Sequence, residues 1–234
     1  MCRSLAASAF SRLYRKVMAR VLSPLGFQRK GSVFWRERDG LLHIIALDRS
    51  SFDGAFTVDV AIQPLVIPYE AFMVGLGARL DRFGQGIPHR WEVPATKPEM
   101  EQVLEQFAQT VIKSAIPWLD RFRYVQDIAE VQIKGTWGIW PVERSNAEEA
   151  AALCALDAGM FDQGKELLAQ VFEKYCSNLD EAYSKAGIPV PEWARKRCQM
   201  FRELLELLEE GDLEGVRRRL EENKAYTRRA LGID

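Results

Sequence analysis

His43 and His89 are the only imidazoles among the 234 residues of this chain. Imidazole is the usual base near neutral pH, so Ser-His-Asp or Cys-His chemistry would have to run through one of them. His43 sits inside the apolar run LLHIIAL and reads as a hydrogen-bonded strand residue. His89 follows Pro88 in an irregular stretch, where functional side chains are more often carried. The sequence contains no G-x-S-x-G elbow, no H-E-x-x-H and no phosphate loop ending in Gly-Lys-Ser or Gly-Lys-Thr. Gly75-Leu76-Gly77 and Gly84-Gln85-Gly86 are too short for a dinucleotide fingerprint. We assign no catalytic residue, no metal ligand and no cofactor from the sequence, and the reading leans away from an enzyme.

Two weaker patterns carry alternatives. Asp127 followed by Gln132-Ile133-Lys134 echoes the acid-then-Q-x-K arrangement of metal-dependent phosphodiesterases and nucleases. There, carboxylates hold the metal and the lysine steadies the scissile phosphate. The competing expectation is a short strand, EVQIK, with Gln132 and Lys134 facing solvent. The basic runs Arg195-Lys196-Arg197, Arg217-Arg218-Arg219 and Arg228-Arg229 could contact phosphates. Glu203, Glu206, Glu209, Glu210, Glu214, Glu221 and Glu222 lie among them, and at helical spacing they make ion pairs instead. A nucleic-acid partner is therefore not expected.

The binding candidates are Arg36, Arg38, Asp48, Arg49, Trp137 and Trp140. The two tryptophans flank a glycine next to Pro141, a spacing that could stack a ligand, anchor a partner or close the joint between sheet and helices. Trp91, Trp118 and Trp193 are expected in the core or at that joint. Asp48 or Asp59 could pair with Arg36 or Arg38 across a sheet, or the same charges could dock a charged partner.

These residues need elements to position them. Residues 4–22 place apolar side chains every four positions and predict a helix, ended by Ser23-Pro24 and Gly26. Strands follow at about 32–38, 41–49 and 55–63, with Asp39-Gly40 as a two-residue primed turn. In the third, Phe56, Val58, Val60 and Ile62 alternate with more polar residues. The second strand is apolar on both faces and should lie centrally. HRWEV at 89–93 could add a fourth strand, and 69–83 could form a short helix. Helix returns from Glu99 to Ala115 and should bend at Ile116-Pro117. Beyond it, Asn146 reads as an N-cap for a helical hairpin turning at Gly159. Helices at about 192–210 and 213–229 turn at Gly211-Asp212. The expected class is α+β: an antiparallel meander of about four strands with packed helices over 1–141, then a helical domain over 142–234.

Composition sets outer bounds. Hydrophobic residues make up 47% and formal net charge is -1, so no global field recruits nucleic acid. No apolar run reaches the roughly 18 residues of a membrane span, and no membrane partner is expected. Cys2, Cys154, Cys176 and Cys198 form no C-x-x-C pair. With no export signal they are read as reduced, in a cytoplasmic protein. The acid-free, Arg-rich start over 1–36 could mimic a mitochondrial transit peptide, but its helix at 4–22 reads as a first domain helix with a basic outer face.

One stretch carries a family likeness. GFQRKGSVFWRE at 26–37, with LDRSSF at 47–52 behind it, resembles an uncharacterised bacterial family known as a domain of unknown function. The likeness covers roughly 5–140 through GF-x-R-x-G-x-x-F/W-x-R. It implies a small cytoplasmic α+β domain with no assigned activity. Some small bacterial α+β proteins of this sort are immunity proteins that neutralise a toxin by binding it. The resulting expectation is a non-enzymatic module with a protein partner, possibly a toxin.

Overall fold

A computed structural model describes residues 2–50, 54–138 and 144–233. The chain forms two compact units that interleave in sequence. The first comprises Met1–Gln63, Phe72–Arg123 and Gly138–Val142; the second comprises Pro64–Ala71, Tyr124–Trp137 and Glu143–Asp234.

The first unit is a helix-covered antiparallel sheet. Its strands are β1 (Gln28–Lys30), β2 (Val33–Arg38), β3 (Leu41–Arg49), β4 (Ala55–Pro64), β5 (Leu76–Arg79) and β6 (Trp91–Glu92). They run in the order β1-β2-β3-β4-β5, with β6 also pairing β4. The expected meander is therefore present and longer, and the apolar β3 is central. Asp39 (φ 42°) and Gly40 (φ 78°) make the left-handed turn that a primed hairpin needs. Helices α1 (Cys2–Leu22) and α2 (Lys97–Thr110) cover one face. There Phe56 of β4 packs on Phe10 of α1 and Phe107 of α2, and Phe34 of β2 meets Tyr14 of α1. Strand alternation then places Arg36, His43 and Val58 on the helix side, and Trp35, Asp48 and Asp59 on the other.

Residues 69–83 are not the expected helix. Residues 76–79 form β5, and Leu80–Phe83 make a 3-10 turn. Gly77 explains the strand: a Cβ there would lie 2.0 Å from the Val60 carbonyl oxygen, so only glycine allows this approach of β5 to β4. The bend near Pro117 takes a specific form. Proline has no N–H to donate, and the helical ladder opens into a π turn over Val111–Ala115 before α3 (Ile116–Leu119).

The second unit is helical among its described residues. It contains α4 (Val125–Lys134), α5 (Arg144–Asp157), α6 (Phe161–Tyr175), α7 (Leu179–Lys185), α8 (Glu192–Glu210) and α9 (Leu213–Leu231). EVQIK is the end of α4, not a strand. Asn146 lies inside α5, not at its cap, and is buried. The α5–α6 hairpin turns at Gly159 (φ +77°), as expected, and α8–α9 turns at Gly211 (φ +74°). Asp212 caps α9 by accepting from the Gly215 amide at 2.9 Å. Two buried carboxylates have cationic partners: Asp157 pairs with Lys224 at 2.6 Å, and Glu149 with Arg197. Residues 64–71 join this unit through Thr227, which donates to the Ile67 carbonyl at 3.0 Å, and Tyr226, which donates to Glu70.

Cysteine usage also departs from expectation. Cys176 and Cys198 form a disulfide between the end of α6 and α8, while Cys154 is free and buried. Among the described residues, no helix is long and apolar enough to cross a membrane.

Candidate functional site

A charged row crosses the sheet on the face opposite α1 and α2. Asp59 of β4 is the register partner of Arg79 of β5. The Arg79 guanidinium donates through Nη2 to Asp48 Oδ2 of β3 at 3.0 Å, and its Nε lies 4.0 Å from Asp59 Oδ1. Its Nη1 reaches His89 Nε2 at 3.4 Å. The other ring nitrogen of His89 is 3.0 Å from Asp81 Oδ2. A neutral imidazole carries one N–H, and opposite a carboxylate that proton belongs on Nδ1. Nε2 is then the acceptor for Arg79. Both ring nitrogens are committed, so in this geometry His89 works as a link and not as a free base.

The row is accessible and acid-rich. The side chains of Asp48 and Arg79 are each 37% exposed, and that of His89 is 64% exposed. Two carboxylates, Asp48 and Asp59, approach the Arg79 guanidinium and a third, Asp81, meets His89, so the row holds three carboxylates to one guanidinium. Burial, then the neighbouring Asp48, pushes the Asp59 carboxyl up, against the pull of Arg79. A cation brought to this face would relieve that repulsion.

Arg36 lies on the opposite face and does different work. It is 4% exposed and stands over the Phe27 ring at 4.7 Å. Its Nε donates to His43 Nδ1 at 3.2 Å, Nη1 to the Leu25 carbonyl at 3.2 Å, and Nη2 to Asp120. His43 Nε2 in turn donates to the Phe122 carbonyl at 2.7 Å. Burial lowers the His43 pKa to about 4, with Arg36 adding to the effect against the Phe122 bond. His43 is therefore a neutral, hydrogen-bonded strand residue, as its apolar run implied. The sequence pairing of Arg36 with Asp48 or Asp59 is corrected: alternation puts them on opposite faces.

The other expected site residues scatter. Arg38 is exposed at the end of β2, and Arg49 stacks over the Phe10 ring at 5.3 Å. Trp137 is 6% exposed and donates to Gln132 Oε1 at 2.8 Å. Trp140 lies outside the described residues. Asp127 closes a capping box on α4 by accepting from the Tyr124 amide at 2.9 Å, and Lys134 pairs with Glu130 at 2.7 Å. Those bonds give both residues of the phosphodiesterase pattern local roles. Among the described residues, no three His, Cys, Asp or Glu side chains gather in a way that could hold a metal ion. Arg217 pairs with Glu214, and Arg219 with Glu203 and Glu222. Trp193, expected in the core or at a joint, is 61% exposed.

Sequence reasoning missed Arg79, the centre of the row. Its signal was slight: a lone arginine in a glycine-rich stretch with no visible strand period.

Residues 18–121 match DUF4304, a domain of unknown function. No curated protein and no solved structure matches the chain. Every residue of the charged row, and the Arg36–His43–Asp120 network, falls within the DUF4304 segment. The disulfide and the helices α5 to α9 fall outside it.

Proposed function

We propose that this protein is a non-enzymatic binding module and that the Asp48–Asp59–Arg79–Asp81–His89 row docks a basic surface on a partner protein. The observation that carries this reading is the excess of carboxylates on an accessible sheet face. Charge complementarity there would speed encounter and fix the register of the partner. The specific form of the proposal is an immunity protein, which silences a bacterial toxin by covering it in the cytoplasm. A thiol-buffered cytoplasm would reduce Cys176–Cys198, but the row contains no cysteine and serves in either redox setting.

The test uses the tagged chain and a double variant, Asp48→Asn with Asp59→Asn, as baits in native-host lysate treated with nuclease. A single protein held stoichiometrically by the wild type and released by the variant supports docking on the row. A partner held equally by both baits places the interface elsewhere.

A further inference from the structure

Cys176 at the end of α6 and Cys198 in α8 are both half-buried, so their bridge can be reached from solvent. Cys154 differs. It is fully buried, and burial holds its thiol pKa well above the ordinary value. A thiol in that setting is inert. The bridged pair is open to thiol chemistry and Cys154 is not.

The segment that the bridge closes contributes nothing to the core. From Ser177 to Trp193 no residue is buried, and α7 lies wholly inside that stretch. α7 has seven residues, well below the roughly 12–15 at which an isolated helix becomes marginal in water. Helices this short depend on packing, yet α7 buries no side chain. Its ties are polar and open to solvent. Asp180 pairs with Arg195, the two side chains being 84% and 64% exposed, and Lys185 pairs with Glu181 one turn away. Exposed pairs of this kind contribute little.

The flanks of the segment are held independently of the bridge. Just before Cys176, Lys174 and Tyr175 each donate to Glu148 of α5 at 2.8 Å. Just before Cys198, Arg197 pairs with the buried Glu149 of the same helix, and Ala194 is buried. Breaking the bridge therefore leaves α6 and α8 seated on α5 and removes the one covalent hold on what lies between them.

We propose that Cys176–Cys198 is a thiol–disulfide exchange site, and that a dithiol reductant acting there releases the segment 177–193 from the helical unit. A thiolate of the reductant attacks one sulfur of the bridge. The S–S bond breaks, a mixed disulfide forms, and the other cysteine leaves as a thiolate. The second thiol of the reductant then displaces the first cysteine. Two electrons and two protons pass to the protein, and the reductant is left as a disulfide. The chain thus has a closed form in oxidising surroundings and an open form in reducing ones. The site is independent of the docking row, which lies in the other unit.

Hydrogen exchange of the full chain, read peptide by peptide before and after excess dithiothreitol, tests the proposal. Alkylation under native conditions counts the thiols that reduction uncovers, and Cys176 and Cys198 should both appear. Reduction speeds exchange of the α7 amides about tenfold, less than opening an untethered loop would, because Glu148 and Glu149 still hold the ends. Amides of α5 and α9 keep their rates. The double variant Cys176→Ser with Cys198→Ser exchanges like the reduced wild type whether or not dithiothreitol is present. A bridge that is absent from the air-oxidised chain, or that dithiothreitol does not open in the native state, overturns the proposal. So does an α7 exchange rate unchanged by reduction, or an acceleration spread evenly over α5 to α9.

Discussion

Arg36 and Asp120 are joined by an ion pair across 84 positions of sequence, with the guanidinium buried and the carboxylate half exposed. The pair ties β2 to the turn after α3, and His43 extends it to the Phe122 carbonyl. Asp120→Ala would leave a buried cation without its anion. A hydrogen bond to a charged group contributes about 1.5–3 kcal/mol, so the urea midpoint should fall by a corresponding amount. Because Asp120 borders solvent, the loss should sit toward the lower end of that range. An unchanged midpoint would remove the pair from the forces holding the sheet to this turn.

His43 makes stability depend on pH. Its pKa is about 4 when folded and near the ordinary imidazole value of 6.5 when unfolded. Between those values the unfolded chain binds the proton and the folded chain does not. Acidification through this window therefore favours unfolding, and stability is regained as pH rises above 6.5. From pH 7.5 to pH 5 the loss should be about 2 kcal/mol. His43→Gln should flatten that slope in denaturant titrations at several pH values. A slope as steep in the variant as in the wild type would assign the dependence to other groups.

Tyr14 is fully buried among Phe10, Phe34 and Phe107, and its hydroxyl has no hydrogen-bond partner among the described residues. Burial also pushes the phenol pKa up. Removing the hydroxyl leaves the ring packing intact. Tyr14→Phe should raise stability by about 1 kcal/mol or more, the desolvation cost of an unsatisfied buried group. A drop in the melting temperature would indicate a partner for the hydroxyl.

The disulfide offers a test in the second unit. In the chain-entropy account, closing a loop of this length stabilises by about 3 kcal/mol. Cys198→Ser should lower the unfolding free energy under oxidising conditions and have no effect once dithiothreitol has reduced the wild type. Equal stability of the two proteins before reduction would show that the bond contributes nothing.

Much of this architecture was legible in the sequence. Phe56, Val58, Val60 and Ile62 announced β4 by strict alternation, and Asp39-Gly40 announced the hairpin that starts the meander. The helical hairpin and its turn at Gly159 were legible for the same local reasons. Short elements were not. β5 has four residues, and its defining feature is the close approach of Gly77 to the β4 backbone, a tertiary fact. EVQIK alternates like a strand, yet Tyr124 and Asp127 cap it as a helix. Of the candidate site, Asp48, Asp59 and His89 stood out in the sequence, while Arg79 and Asp81 did not. Arg36 carried a surface charge in sequence, and only pairing with His43 and Asp120 explains its burial. Cys176 and Cys198 meet through helix packing that spacing alone does not encode.

The central claim is that the acid-rich row on the sheet is a docking face for a basic protein surface. It is tested most directly with the captured partner, by measuring affinity against salt concentration for the wild type and for Asp48→Asn with Asp59→Asn. The account predicts weaker binding for the double variant and a flatter salt dependence, because two carboxylates that attract the partner are gone. Equal affinity and equal salt dependence in the two proteins would contradict it.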